Sequence, residues 1–128
     1  MIKLMPNDAD RVLVMELHGM VSEADYDQAM EQLETRYPQF SVRLRGGTRG
    51  RIGVLLDYGA LEGWEMGAKT LGTITAKMIS DVVRRIALVA DDRWRDEEER
   101  MADVAPNAEV KVFKPEKRAQ ALAWLTGD

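Results

Sequence analysis

Apolar positions along this chain follow two rhythms, one of strands and one of helices. At the start, Ile2 and Leu4 share one side of an extended segment, Met1–Met5, with Lys3 on the other. Pro6-Asn7-Asp8 supplies a turn, and Arg11–His18 (RVLVMELH) reads as a second strand, nearly continuous in apolar residues. So short a connection predicts antiparallel pairing of these two strands. Gly19 ends the second one. Ser22 then stands as an N-cap with Asp25 three residues on, while Val21 and Tyr26 hold hydrophobic-staple positions. Tyr26, Met30, Leu33 and Tyr37 recur at spacings of 4, 3 and 4, which is one face of a helix that Pro38 stops.

The second half repeats the alternation. Ile52–Leu56 (IGVLL) lacks polar interruption, as a strand buried on both faces does, and Asp57 ends it. Tyr58–Gly63 reads as a connection, and a helix is predicted from about Trp64 to Val83. Its stripe comprises Trp64, Ala68, Leu71, Thr75, Met78, Ile79 and Val82. Gly67, Gly72, Thr70, Thr73, Ile74 and Thr75 lower the intrinsic helicity there, so this helix depends on packing and is expected to be mobile. Arg85–Ala90 (RIALVA) is a further strand. Asp91-Asp92 can cap a helix reaching about Val104, with Trp94, Met101 and Val104 inward. Within it, Arg95–Arg100 (RDEEER) reads as a solvated face on which Asp96 and Arg100 can pair. Glu109–Phe113 alternates as an edge strand does. Pro115 suits the first turn of a last helix that turns Ala121, Leu122 and Leu125 inward. The order β-β-α-β-α-β-α-β-α demands right-handed crossovers and a mostly parallel five-stranded sheet with about four helices, its first two strands antiparallel. Residues 52–56 and 85–90 read as interior strands, and 1–5 and 109–113 as edges.

Composition narrows the class. The chain has 128 residues, a length that suits a single domain spanning 1–128. Eighteen basic against 22 acidic residues leave a net charge of −4, which argues against a nucleic-acid binder. The absence of Cys removes disulfides, thiol nucleophiles and thiolate zinc sites together. No apolar run reaches the length of a bilayer span and Met1-Ile2-Lys3 opens no secretory signal, so a cytoplasmic location is expected. Neither a cofactor nor a metal site is expected.

Certain residues also carry a resemblance. The frame from Leu55-Leu56-Asp57 through Glu62-Gly63-Trp64 to Arg85–Val89 and Trp94 is similar to the SpoIIAA-like family of the STAS fold, named for sulfate transporters and anti-sigma-factor antagonists. Val110–Phe113 followed by Ala121–Leu125 resembles the same family. The resemblance covers nearly the whole chain and implies strands in roughly sequential order. In the anti-sigma antagonists a Ser opening the helix after the central strand is phosphorylated, and the added charge switches partner binding. Here that position falls near Met66-Gly67, without a hydroxyl, and Thr70 lies one turn too late. The phosphoswitch is therefore not expected in this chain.

Ligands of parallel sheets collect beyond the carboxyl ends of strands. Those ends offer His18, Asp57, Glu62, Trp64, Asp91, Asp92 and Trp94, either as a carboxylate cluster for a divalent cation or, with better support, as caps for helix N–H groups. His18 is the only histidine and has no free nucleophile to activate, so a surface or cap role is its default. Trp64, Met66, Met78, Ile79 and Trp94 could wall an apolar groove under the helix 64–82, and the strand-end residues Asp57 and Asp91 are further ligand-binding candidates. Arg43, Arg45, Arg49 and Arg51, set among glycines, are candidates for binding anions, although no P-loop pattern follows.

Three functions compete. The first is a non-enzymatic binding or regulatory module docking a protein partner or a small ligand. The second is a carrier or sensor of an apolar, lipid-like ligand, with peripheral contact to lipid. The third is a small enzyme using Asp57 and Asp91 as acid and base. A homodimer through an edge strand stays open in each case.

Overall fold

A computed structural model describes residues 1–7, 11–36, 52–79 and 83–127, with side chains described throughout except at 6, 7 and 74–79. Five strands form one sheet in sequential order: β1 (Ile2–Asn7), β2 (Val12–Val21), β3 (Ile52–Trp64), β4 (Val83–Val89) and β5 (Glu109–Phe113). The first pair is antiparallel and the others are parallel. The helices are α1 (Glu23–Arg36), α2 (Ala68–Ile79), α3 (Asp96–Val104) and α4 (Arg118–Thr126), with short 3-10 turns at Asp92–Trp94 and Pro115–Lys117. The interior strands are β2, β3 and β4 and the edges β1 and β5, with β3, β4 and both edges placed as their polarity predicts.

Sequential parallel order has a geometric consequence. Three right-handed crossovers advancing in one direction place α1, α2 and α3 on the same face of the sheet. Only α4, which follows the last strand, is left to cover the other. The buried residues divide accordingly. One apolar cluster joins Leu13, Leu17, Val54, Tyr58, Ile86 and Leu88 to Tyr26, Ala29 and Leu33 of α1, Ala68 of α2 and Ala105 after α3. The second joins Val12, Val14, Leu55, Ala87 and Val89 to Ala121 and Leu125 of α4. Alternate residues of β2, β3 and β4 feed the two layers, which is why these strands carry so few polar residues. Burial of each large member, such as Leu55, Leu88 or Leu125, contributes about 1.5–3 kcal/mol.

The N-cap of α1 is reciprocal: Ser22 N–H donates to Asp25 Oδ2 at 2.8 Å and Asp25 N–H donates to Ser22 Oγ at 3.2 Å. That is the capping box read from the sequence, with Asp in place of the usual Glu. The bond from Ser22 holds the Asp25 carboxyl below its ordinary range.

The second helix is shorter than its apolar stripe predicts. Residues 58–64, expected as a connection and a first helical turn, continue β3, and Trp64 ends the strand opposite Val21. Pairing with β2 overrides the helical spacing, because the ladder satisfies backbone groups that a frayed helix end leaves open. Gly67 then adopts φ 84°, a left-handed turn suited to glycine, and α2 starts at Ala68. Once begun, α2 packs on α1 and α3 more than on any strand.

Candidate functional site

Two recesses flank the sheet. The first lies between the sheet and the three helices of the more heavily covered face. It is an apolar cavity of about 80 Å³ bounded by Met15 and Leu17 of β2, Val54, Leu56 and Tyr58 of β3, Ile86 of β4, Met30 of α1 and Met101 of α3. Gly72 is its described contribution from α2, and Tyr26 and Arg100 add polar groups to its wall. A side chain at Gly72 would put Cβ 2.5 Å from the Tyr26 hydroxyl, so only glycine lets α2 approach α1 this closely. That explains a residue which, by helix propensity alone, weakens α2.

Polar groups beside the cavity form one linked network. Glu97 is almost fully buried, at 3 % exposure. Its carboxylate accepts from Arg100 Nε at 2.8 Å and Nη2 at 2.6 Å, from Lys69 Nζ at 3.2 Å and from the Tyr58 hydroxyl at 3.4 Å. Arg100 Nη1 also donates to Thr73 Oγ1 at 2.6 Å, so α3 is tied to α2 at two points. Burial pushes the Tyr58 hydroxyl well above its ordinary pKa, and the nearby Glu97 charge adds to it. Burial alone would lower the Arg100 pKa, but the Glu97 carboxylate outweighs it and the net shift is upward. Tyr26 is raised by burial, while its hydroxyl accepts from Trp64 Nε1 at 3.0 Å.

Three aromatic rings complete this end. Tyr58, Trp64 and Trp94 meet edge to face with centroids 5.4–5.8 Å apart. Lys69 and Arg100 lie over the Trp64 ring at 5.1 and 5.7 Å, a favourable placement for a cation on an aromatic face. The indole N–H of Trp94 is buried without a partner among the described residues.

The second recess, of about 260 Å³, carries Glu16, His18, Asp57 and Arg118 and opens at the middle of β2 and β3, beside the start of α4. Glu16 and Asp57 sit opposite each other on adjacent strands, and Arg118 Nη1 bridges them at 2.6 and 2.7 Å. His18 Nε2 lies 3.1 Å from Glu16 Oε1. The Arg118 bond, opposed by burial and aided by His18, holds the Glu16 carboxyl below its ordinary range. Just past this pair the β2–β3 register slips, and Gly59 N–H donates to Asp57 Oδ1 at 2.8 Å.

The predicted groove residues are therefore divided. Trp64 and Trp94 come together in the aromatic cluster, which packs on the core beside the cavity. Met66 is 99 % exposed, because the chain turns there instead of coiling, so it walls no groove. Met78 and Ile79 belong to α2, with side chains outside the described residues. Asp91 accepts from Arg93 N–H at 3.0 Å and caps the 3-10 turn, while exposed Asp92 stands 4.0 Å from Lys114. Asp57 lies in the second recess on the opposite side from the apolar cavity. Among the described residues no group of three His, Asp or Glu side chains is arranged to hold a metal ion. Arg43, Arg45, Arg49 and Arg51 lie outside the described residues.

One expectation is overturned within RDEEER. Arg100 pairs with buried Glu97, and this part of the helix faces inward. Residues 97, 101 and 104 are spaced 4 and 3 apart and are all buried, so helical periodicity extended by one step would have found Glu97. Glu16 and Arg118 were also missed. They lie 102 positions apart, and nothing local signals their meeting.

Five strands in sequential order, with three helices on one face and one on the other, define an α/β domain of the STAS type, an architecture of regulatory and binding modules. A sequence model of the SpoIIAA-like family matches residues 12–126, and the chain belongs to that family. Among solved structures it is similar to an uncharacterized DUF3478 protein with a SpoIIAA-like fold from Shewanella loihica PV-4. The TM-score is 0.75 at 21 % identity, covering 98 % of this chain and 92 % of the other. It is also similar to the anti-sigma factor antagonist SpoIIAA in its unphosphorylated form, with TM-score 0.59, 10 % identity and coverage of 96 % and 98 %. The phosphorylated form of the Bacillus cell fate determinant SpoIIAA gives TM-score 0.55, 13 % identity and coverage of 95 % and 99 %. No curated protein matches by sequence. Among the described residues no helix is long and apolar enough to cross a membrane.

Proposed function

We propose that this protein is a non-catalytic binding module whose ligand is a small apolar molecule, or the apolar end of a larger one, held beneath α2. The observation that carries this reading is the cavity itself, walled by methionines, leucines and valines of the sheet and of the helices over one face. Native interiors pack densely, so an unfilled apolar space forfeits contacts with every atom that lines it. A ligand restores those contacts. Met15, Met30 and Met101 can adjust to its shape, since unbranched thioethers change rotamer cheaply. The packing of α2 on its neighbouring helices leaves a wall that can move without unpairing the sheet.

The test is a titration with 1-hexanol read by thermal shift. Binding is expected to raise the melting temperature, because a ligand at 100 times its Kd stabilises the native state by about 2.7 kcal/mol. Ala105→Leu adds about three carbons to the wall, comparable to the free volume at about 30 Å³ per water-sized group, and should abolish the shift. An unchanged melting temperature at saturating hexanol, or equal shifts for both proteins, would refute the reading. The docking of a protein partner would then stand as the better account.

A further inference from the structure

We infer that the ligand under α2 carries an anionic head, and that Lys69 and Arg100 select an alkyl carboxylate over neutral or cationic molecules of equal length. The inference rests on the cavity reading above and adds the chemistry of its polar end. Lys69, Glu97 and Arg100 form one linked group of two cations and one anion, leaving a net charge of +1 beside the apolar wall. Their hydrogen-bonding capacity is unbalanced in the same direction. Arg100 has five N–H bonds and Lys69 three, and among the described residues Glu97, Thr73 and Tyr58 do not absorb them all. A carboxylate head supplies the missing acceptors and the missing charge together.

Position favours the same ligand. Lys69 lies in the first turn of α2, which contains no acidic residue, so the positive end of the helix dipole adds to the side-chain charges. Its side chain is half exposed while that of Arg100 is largely covered. A head at Lys69 therefore keeps part of its hydration, and the tail passes from Arg100 into the cavity. Other carboxylates nearby, Glu23 beside Gly67, Glu65 just before α2, and Glu98 and Glu99 on α3, are exposed, so water weakens their fields more than those of the covered Arg100 and Glu97. The space of about 80 Å³ holds two or three water-sized groups, so about three carbons fit as it stands and a hexyl chain displaces α2.

Hexanoate, 1-hexanol and hexylamine, titrated calorimetrically at pH 7, separate the possibilities. Hexanoate should bind at least tenfold more tightly than hexanol, and hexylamine more weakly than either. In Lys69→Met, checked for folding by its thermal melt, the preference for hexanoate over hexanol should fall at least threefold, with Arg100 keeping the remainder. Equal binding of hexanoate and hexanol to the natural protein, or an undiminished preference in Lys69→Met, would overturn the head-group assignment and leave the cavity reading standing. If none of the three binds, both fall.

Discussion

Replacing Glu97 with Ala removes the only carboxylate that Arg100 meets among the described residues and leaves a guanidinium that is 21 % exposed with Thr73 as its principal partner. Breaking one side of a buried ion pair costs about 3–5 kcal/mol, because the remaining charge keeps its desolvation penalty and loses its compensation. Lys69, half in water, loses little by comparison. At about 2.1 cal/mol/K per residue, a chain of 128 residues has an unfolding entropy of about 0.27 kcal/mol/K, so the melting temperature should drop by about 11–19 °C. Glu97→Met combined with Arg100→Met should recover most of that loss, since exchanging a whole buried pair for apolar groups is often neutral or stabilising. Urea unfolding of the natural protein, Glu97→Met, Arg100→Met and the double variant closes the cycle. A loss below about 1 kcal/mol for Glu97→Ala would refute the reasoning, because a solvated pair behaves that way.

Glu16→Gln should destabilise the protein at pH 7, with the difference closing in acid. The folded carboxyl is held below its unfolded pKa of about 4.3, so its contribution is present above that value and is lost as pH falls through the folded one. Chemical denaturation at pH 7 and pH 3 checks this, and a constant difference would contradict it. Gly72→Ala should lower the urea midpoint despite a gain of about 0.8–1 kcal/mol in helix propensity, because its Cβ would meet the Tyr26 ring and overpacking costs about 1–3 kcal/mol. A more stable variant would show that α2 does not approach α1 this closely.

Much of the architecture was legible in the residues. Runs such as IGVLL and RIALVA carry apolar side chains to both faces of a sheet, and that pattern alone made β3 and β4 interior. Ser22 and Asp25 marked the start of α1 through a bond spanning three residues. What stayed hidden depends on partners distant in the chain. Trp64 fits a helical stripe by spacing, and only its pairing with Val21 of β2 makes it strand. Gly72 read as a weak point in a helix until the Tyr26 hydroxyl gave it a reason. Glu97 was concealed by its neighbours, since a run of acidic and basic residues suggests water on every side. The sequence placed an apolar groove between Trp64 and Trp94 under the helix 64–82, whereas the cavity is walled chiefly by strand residues counted as core. Asp57 meets Arg118, which also holds Glu16, and neither partner carried a local mark.

The most direct test of the apolar cavity is a crystal of the protein pressurised with xenon, a probe that enters dry apolar space and needs no knowledge of the natural ligand. An anomalous peak between Met15, Met30, Leu56 and Met101 is the expected result. A cavity without xenon at a pressure that loads other apolar cavities, or one occupied by ordered water, would contradict it.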